Sequence, residues 1–430
     1  MATFIIRPKE RLGAAAILSL AAEPQRLAFA SAEVAQKMLR DSGVAPQAVV
    51  TAQGLIDQDG KFKATGVDAA KMGRDMKAPR VLEGFDLILL DDPSPETLAR
   101  LRDRAEDIML SVPVPMIAPV SSSIQPNCNP WHLAKINVAA ARARNLDGRG
   151  VRIGIVDTGI DATHPEFAGK HISFAEYDIN GFMISLVPRD AGDHGTHVAG
   201  IACGRNYGVA PEADLAVAAV MTTPTPRGMV GYSGQILAGL HWVAHGNHPA
   251  PTQRISQSVV LNASLGSNGY DNWLYAALTA IRQAPAVQLV AAIGNNGHAG
   301  VNHHCSPGNY DITLGVGATD QNDVVASFSD WGRETNFGTL APDLSAPGVD
   351  ICSSVPNGKY ALKRGTSMAT PMVTGTAALL IQRTPALTRN PASVALQVLQ
   401  LVDQSPTQIP QNTQSGYNRV GLGWLDLTRI

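Results

Sequence analysis

The stretch VRIGIVDTGID, residues 151–161, decides the fold. A nearly continuous apolar run ends in Asp157 and passes at once into Thr158-Gly159. Such a run reads as a strand covered on both faces, since neither face carries the polar alternation that water would require. An acid at the carboxyl end of a buried strand stands at the crevice where open α/β sheets bind ligands. Alone, Asp157 suits a metal or nucleotide site as well as a catalytic one. Outward from it, Leu215–Val220, Val259–Asn262, Gln288–Ile293 and Ile312–Val316 repeat the pattern. Helical stretches fall near 196–203, 234–245, 272–284 and 367–383. The alternation predicts an α/β fold, with an open, mostly parallel sheet and helices on both faces.

Three further strings carry chemistry. DHGTHVAG, 193–200, places His194 before a glycine that lets the backbone turn tightly. His194 and His197 are three apart with no Glu between them, unlike the i, i+4 pair of a helical zinc site. GTSMATP, 365–371, puts Ser367 at the start of a long apolar helix. A serine there is ordinarily an N-cap. It is also well placed as a nucleophile, because the free N–H groups and the helix dipole favour negative charge beside it. VAAIGNNG, 290–297, carries Asn295 in a strong turn signal. A nucleotide-binding reading needs a glycine-rich phosphate loop after the first strand, and IVDTGID is not one.

Together, VDTGID, HGTHVAG and GTSMATP resemble the three active-site motifs of the subtilase family almost letter for letter, in its Asp, His, Ser order. The resemblance covers about residues 128–430. It implies a subtilisin-like catalytic domain and a serine endopeptidase. By resemblance the triad is Asp157, His194 and Ser367, and Asn295 donates its side-chain amide to the oxyanion. Ser367 would attack the scissile carbonyl, His194 would shuttle the proton, and an acyl-enzyme would be hydrolysed by water. The resemblance also implies that extended substrate adds as a strand between Gly231-Tyr232-Ser233-Gly234 and Ser264-Leu265-Gly266. The primary specificity pocket would be walled by Ser264–Gly266 and by Ala291, Ala292, Ile293 and Gly294, with a floor near His304–Ser306 that includes Cys305. No acidic residue is evident at that floor, so a strong preference for Arg or Lys is not expected.

No cofactor is expected. Glu166, in HPEF, stands where the family places a calcium-binding carboxylate, but only GRNY, 204–207, lies between the His motif and GVAP, so the usual calcium loop is shortened. His298, His303, His304 and Cys305 invite a zinc reading. The preferred reading makes them polar loop residues near the cleft, with no metal bound.

The N-terminal part differs in composition. Residues 1–127 hold 31 of the 70 charged residues, a density about twice that of the remainder. Strands at Phe4–Arg7, Ala48–Ala52, Phe85–Leu90 and Ile108–Val112, with helices at Ala32–Asp41 and from Pro95 to about Asp107, give the split βαβ order of a small ferredoxin-like α+β domain. Residues 57–84 read as an irregular insertion. A Pro- and Ser-rich join, 111–130, reads as an exposed, extended linker. The expected division is 1–112 as a propeptide-like inhibitor and folding aid, 113–130 as linker and processing region, and 131–430 as the catalytic domain. The tail near 113–127 is expected to lie across the cleft, with cleavage between about 118 and 130.

The whole chain has a net charge of −2, with no basic stripe, so neither nucleic acid nor a membrane surface is an expected partner. Expected partners are a protein or peptide substrate, the chain's own N-terminal domain and a regulatory protein. Cys128, Cys203, Cys305 and Cys352 lack CxxC spacing and are expected to be free, mostly buried thiols. Residues 13–22 make a feeble signal peptide, so a cytoplasmic location is preferred over a secreted one. The competing functions are a specialised processing protease or transpeptidase, and a latent protease-fold binding protein kept inhibited by its N-terminal domain.

Overall fold

A computed structural model describes residues 3–8, 50–51, 80–82, 87–92, 94–102, 105–125, 128–226, 228–245, 259–283, 287–334, 336, 338–389, 391–404, 413–414 and 417–430. Its centre is a ten-stranded sheet. From one edge the order is Met183–Ser185, Ile172–Tyr177, Asp214–Ala219, Arg152–Asp157, Val259–Ala263, Val287–Ala292, Leu314–Thr319, Leu344–Pro347, Trp424–Leu425 and Val402–Asp403. Neighbouring strands are parallel except at the two outermost pairings. Strand order reverses at Arg152–Asp157: the chain first builds outward on one side of it, then crosses to the other. Such a switch point opens a crevice at the strands' carboxyl ends.

Side-chain alternation explains why the sheet needs two layers of helix. Ile153, Ile155, Leu215, Val217, Val290 and Val316 pack in one core cluster with residues of the helices His194–Cys203 and Thr366–Arg383. Val156, Ala216, Ala218, Leu261, Leu289 and Ala291 pack in another with the helices Ser233–His245 and Asn272–Gln283. Both faces are therefore dry, which is why the strand sequences read as apolar runs.

The N-terminal residues form a separate five-stranded sheet. Thr3–Pro8 lies between Leu87–Asp91 and Ala105–Leu110 and is antiparallel to both, as a split βαβ requires. One face of this sheet joins a helical layer of the ten-stranded sheet: Ile5, Leu87 and Leu89 share a core cluster with Ile236 and Leu240 of the Ser233–His245 helix. Thr3 Oγ1 also donates to Asn180 Oδ1 at 2.9 Å.

Several expectations need correction. The first-domain helix ends at Arg102, and Ala105–Leu110 is already a strand, because Ile6 and Ile108 meet across the sheet. A strand, Arg80–Leu82, occurs inside the stretch read as irregular. The strands Ile172–Tyr177 and Leu344–Pro347 were not anticipated; each carries polar or prolyl residues that break the apolar pattern. Cys128 and Cys352 are a disulfide with Cα atoms 5.8 Å apart, not free thiols; Cys203 and Cys305 are free and buried. Ser121–Gln125 pairs with Lys359–Arg364, which itself pairs with the strand holding Cys352, and this brings the two sulfurs together. The expected helix Ala32–Asp41, residues 13–22 and most of 48–84 lie outside the described residues. Among the described residues no helix is long and apolar enough to cross a membrane.

Ile155, fully buried between sheet and helices, should be sensitive to truncation. Ile155→Ala is expected to destabilise the protein by about 2–5 kcal/mol and Ile155→Val by about 0.5–1.5 kcal/mol, the difference reporting the cavity left behind. Chemical denaturation of the two variants side by side checks this.

Candidate active site

Asp157 ends its strand at the switch point, and its carbonyl accepts from the amides of Val220 and Met221. The chain then turns through Gly159, at φ +122°, and the helix His194–Cys203 begins almost on top of that turn. A Cβ at Gly195 would stand 2.1 Å from the Gly159 carbonyl oxygen, so only glycine permits the approach. Asp190 clamps the same corner. Its carboxylate accepts from Thr158 Oγ1 at 2.6 Å, Thr196 N at 2.8 Å and Thr196 Oγ1 at 2.5 Å. Thr158 Oγ1 in turn accepts from Gly195 N. The result is a close contact between the Asp157 carboxylate and His194 Nδ1, at 2.8 and 2.9 Å, with both side chains 1% exposed. The Asp157 contact favours the tautomer that carries its proton on Nδ1, leaving Nε2 as the basic atom. Nε2 is buried with no hydrogen-bond partner among the described residues.

Ser367 is the second residue of the helix Thr366–Arg383, which packs against the helix that begins at His194. Asn295 is fixed from the same helix: its Oδ1 accepts from Thr366 N at 2.9 Å and Thr366 Oγ1 at 3.0 Å. Those bonds leave only Nδ2 free to face the cleft, and it donates to the Ala118 carbonyl at 2.9 Å.

That carbonyl belongs to the chain's own join between domains. Pro113–Pro115 pairs antiparallel with Gly228–Tyr232, Met116 N donates to Met229 O, and Met116 bridges Leu265 on the other side. The segment is thus the middle strand between the two edges that the sequence nominates. Ile117 is buried with Ala292 and Cys305, and Val114 is buried too. Beyond the site, Val120 N donates to Arg364 O and Ser121–Gln125 continues as a strand along Lys359–Arg364. The join is therefore paired along much of its length, with Val114 and Ile117 buried, contrary to the expectation of an exposed, extended linker; Val112, Pro113, Pro115 and Val120–Ile124 are exposed.

At the centre the chain is not extended. Ala118 N donates back to Met116 O at 2.8 Å, a γ-turn over Ile117. Two successive carbonyls consequently meet the polar groups. The Ile117 carbonyl accepts from Ser367 Oγ at 2.9 Å, and the Ala118 carbonyl accepts from Asn295.

The nominated cleft residues mostly converge. Gly231 and Tyr232 pair with Val114 and Pro113, Ser233 exchanges bonds with Val112, and Gly234 N donates to Ser111 Oγ. Ser264 Oγ donates to Ser367 O, and a Cβ on Gly266 would stand 3.3 Å from Ile117 Cδ1. Ile293 O accepts from Cys305 N and Gly294 N donates to Thr366 Oγ1, so both line the loop behind the pocket. Ala291 is the exception: strand alternation turns it into the core with Leu289 and Leu261, away from Ile117. Thr366, Asp190 and Asp330 were missed. An acid does stand behind the floor, since Asp330 Oδ2 lies 3.8 Å from Cys305 Sγ; nothing in a local reading joins positions 25 residues apart.

Glu166 is fully engaged by protein donors: Asn206 N at 2.7 Å, Asn206 Nδ2 at 2.8 Å, Tyr360 Oη at 3.1 Å and Tyr207 N at 3.3 Å. Four donors use the acceptor capacity that a cation would need, so these residues do not fit a calcium ion. His304 faces Asn309 and Glu334. Among the described residues no group of three or more His, Cys, Asp or Glu could hold a metal ion.

An α/β sheet of this topology, with a carboxylate, an imidazole and a helix-borne serine gathered at its carboxyl ends, defines a serine-type endopeptidase. The chain belongs to the subtilase family, whose model matches residues 148–404. It is 34% identical to a thermostable alkaline protease of Halalkalibacterium halodurans, over 68% of this chain and 72% of that protein. It is 36% identical to subtilisin BL of Lederbergia lenta, over 60% of this chain and 85% of that protein. A solved cold-adapted subtilisin-like serine proteinase matches at a TM-score of 0.53 and 30% identity, covering 66% of this chain and 90% of the other.

Asp157→Asn keeps the shape but offers His194 the wrong tautomer, so kcat on a peptide anilide should fall about 10⁴-fold. With Asn295 in the oxyanion role that the resemblance implies, Asn295→Ala should lower kcat by about 10²–10³, the loss that one oxyanion donor causes in subtilisin, with little change in KM. Steady-state kinetics on the purified variants check both.

Proposed function

We propose that Asp157, His194 and Ser367 hydrolyse peptide bonds through an acyl-enzyme, with Asn295 stabilising the oxyanion, and that the chain is made self-inhibited. The observation that carries this reading is a peptide carbonyl seated on the Ser367 hydroxyl while Asp157 holds the His194 ring. Once the hydroxyl turns from that carbonyl to His194 Nε2, the ring can accept its proton as Ser367 attacks. The imidazolium then forms beside the Asp157 carboxylate and gives the proton to the leaving amine.

The resident segment supports a latent state. Ile117 fills the pocket, yet the Ala118 carbonyl takes the Asn295 amide, so the chain holds one residue too many for an extended substrate. The bond after the Ala118 carbonyl leads to Pro119, whose ring nitrogen carries no hydrogen. Residues 113–120 therefore act as an inhibitor more than a substrate, and processing falls later in 118–130 than the bonds flanking Ala118. The partner in the cleft is the chain's own N-terminal part; the substrate is extended polypeptide.

The occupants also suggest what is cut. Ile117 against Ala292 and Cys305, and buried Val114, favour aliphatic residues just before the scissile bond and three positions earlier. The Cys128–Cys352 disulfide favours the secreted alternative, since such bridges persist in oxidising compartments. No calcium is assigned at Glu166.

Intact mass spectrometry and a fluorophosphonate probe test this reading. The unsubstituted chain should stay uncut between 117 and 120, Pro119→Ala should be cleaved after Ala118, and Ser367→Ala should remain whole. Rapid cleavage of the unsubstituted chain at these bonds would overturn the inhibitor reading. A Pro119→Ala chain that neither cleaves nor takes the probe at Ser367 would overturn the protease reading. Removing the side chain at the pocket floor, Cys305→Gly, should shift a peptide-library profile from Ile and Val toward Phe and Tyr.

A further inference from the structure

Asn295 is held from one side by Thr366, but its loop has a second support on the opposite side. Asp330 is fully buried and grips both neighbours of Asn295. Its Oδ1 accepts from Asn296 N at 2.5 Å, and its own backbone N donates to the Gly294 carbonyl at 3.1 Å. Its Oδ2 packs so close that a Cβ on Gly294, at φ +119°, would stand 2.0 Å away. Only glycine can occupy that place, so loop and carboxyl group are fitted to each other. We infer that Asp330 is a positioning residue for the oxyanion loop, gripping Gly294 and Asn296 so that the Asn295 amide points at the reacting carbonyl. This rests on the oxyanion role proposed for Asn295.

The charge state of Asp330 bears on how it does this. Its charged and titratable neighbours are Cys305, from the pocket floor, and Arg419, from the C-terminal segment. Arg419 donates to the carbonyls of Ala326, Ser327 and Ser329 and stacks on Trp331. Burial dominates over the hydrogen bonds from Asn296 and Cys305 and the attraction of Arg419, and pushes the carboxyl up to about 8. Below that value the protonated form prevails and still accepts from Asn296 through Oδ1. Above pH about 8 it becomes an anion behind a loop that must stabilise a second negative charge. Ionisation should therefore oppose the transition state, and kcat should fall as pH rises through that value. The same sign governs stability: with the folded-state value raised, the contribution of the group is full below the ordinary carboxylate range and lost as pH rises to about 8.

The experiment compares Asp330→Ala and Asp330→Asn with the unsubstituted full-length chain and with Asn295→Ala. Amide hydrogen exchange is read across 294–297, and kcat and KM are measured on a peptide anilide from pH 6 to 10. Asp330→Ala should speed exchange at Asn296 and lower kcat roughly 10–100-fold at unchanged KM, the effect of a small misplacement of a catalytic donor. Asp330→Asn keeps an acceptor oxygen, so it should restore slow exchange and most of kcat, and it should remove the alkaline fall. Unchanged exchange at Asn296 in Asp330→Ala overturns the inference even in a chain too inhibited for kinetics. If Asn295→Ala lowers kcat while Asp330→Ala does not, the inference also fails and the role of Asn295 stands. If Asn295→Ala has no effect on kcat, the oxyanion reading itself fails.

Discussion

The hydrogen bonds between Asp157 and His194 depend on two backbones touching. The strand that ends in Asp157 and the helix that begins with His194 come within van der Waals contact only because Gly195 faces the Gly159 carbonyl without a Cβ. Everything else at the site is arranged around that contact. Asp190 ties the two corners with three hydrogen bonds, and the sheet's order reversal opens the space above them. The serine arrives on a helix packed against the histidine helix, so its position follows from the same core that buries Ile153 and Ile155.

The cleft is a backbone device as much as a side-chain one. Two strand edges, Gly228–Tyr232 and the Leu265 bridge, leave a slot one strand wide, and the chain's own residues 113–117 fill it. Main-chain hydrogen bonds do not read side chains, so such a slot accepts many sequences and would capture its own linker readily. In the inhibitor reading proposed for this segment, register at a single turn separates it from a substrate. The γ-turn over Ile117 satisfies both pairing flanks while giving the Ser367 hydroxyl and the Asn295 amide two different carbonyls, those of Ile117 and Ala118. Tethering in the same chain raises the effective concentration of the segment, which makes even a poorly fitting occupant persistent.

Much of this was legible beforehand. Apolar runs of four to six residues marked five of the parallel strands because both faces of the sheet are covered, and the resemblance of local motifs to those of the family nominated Asp157, His194, Ser367 and Asn295. Two of the strands that escaped notice, Ile172–Tyr177 and Leu344–Pro347, contain Glu176 and Ser345, polar residues buried by neighbours far away in the chain. The cleft edges came from the family resemblance, which placed Ala291 and Ala292 together in one wall; strand alternation turns these adjacent alanines to opposite faces.

By itself the sequence determined what depends on near neighbours: the strand-to-turn placement of Asp157, the glycine after His194, the helix start that carries Ser367, and the compositional break near residue 127. Tertiary structure alone decided what joins distant positions. It paired Cys128 with Cys352 and surrounded Glu166 with donors from two other segments. It also set the register of 113–120 in the cleft and slid Asp330 beneath the Gly294–Asn296 loop. The physical reason is common to all four. Hydrogen bonds and packing act over a few ångströms of space, and chain order predicts such proximity only within a turn or a strand.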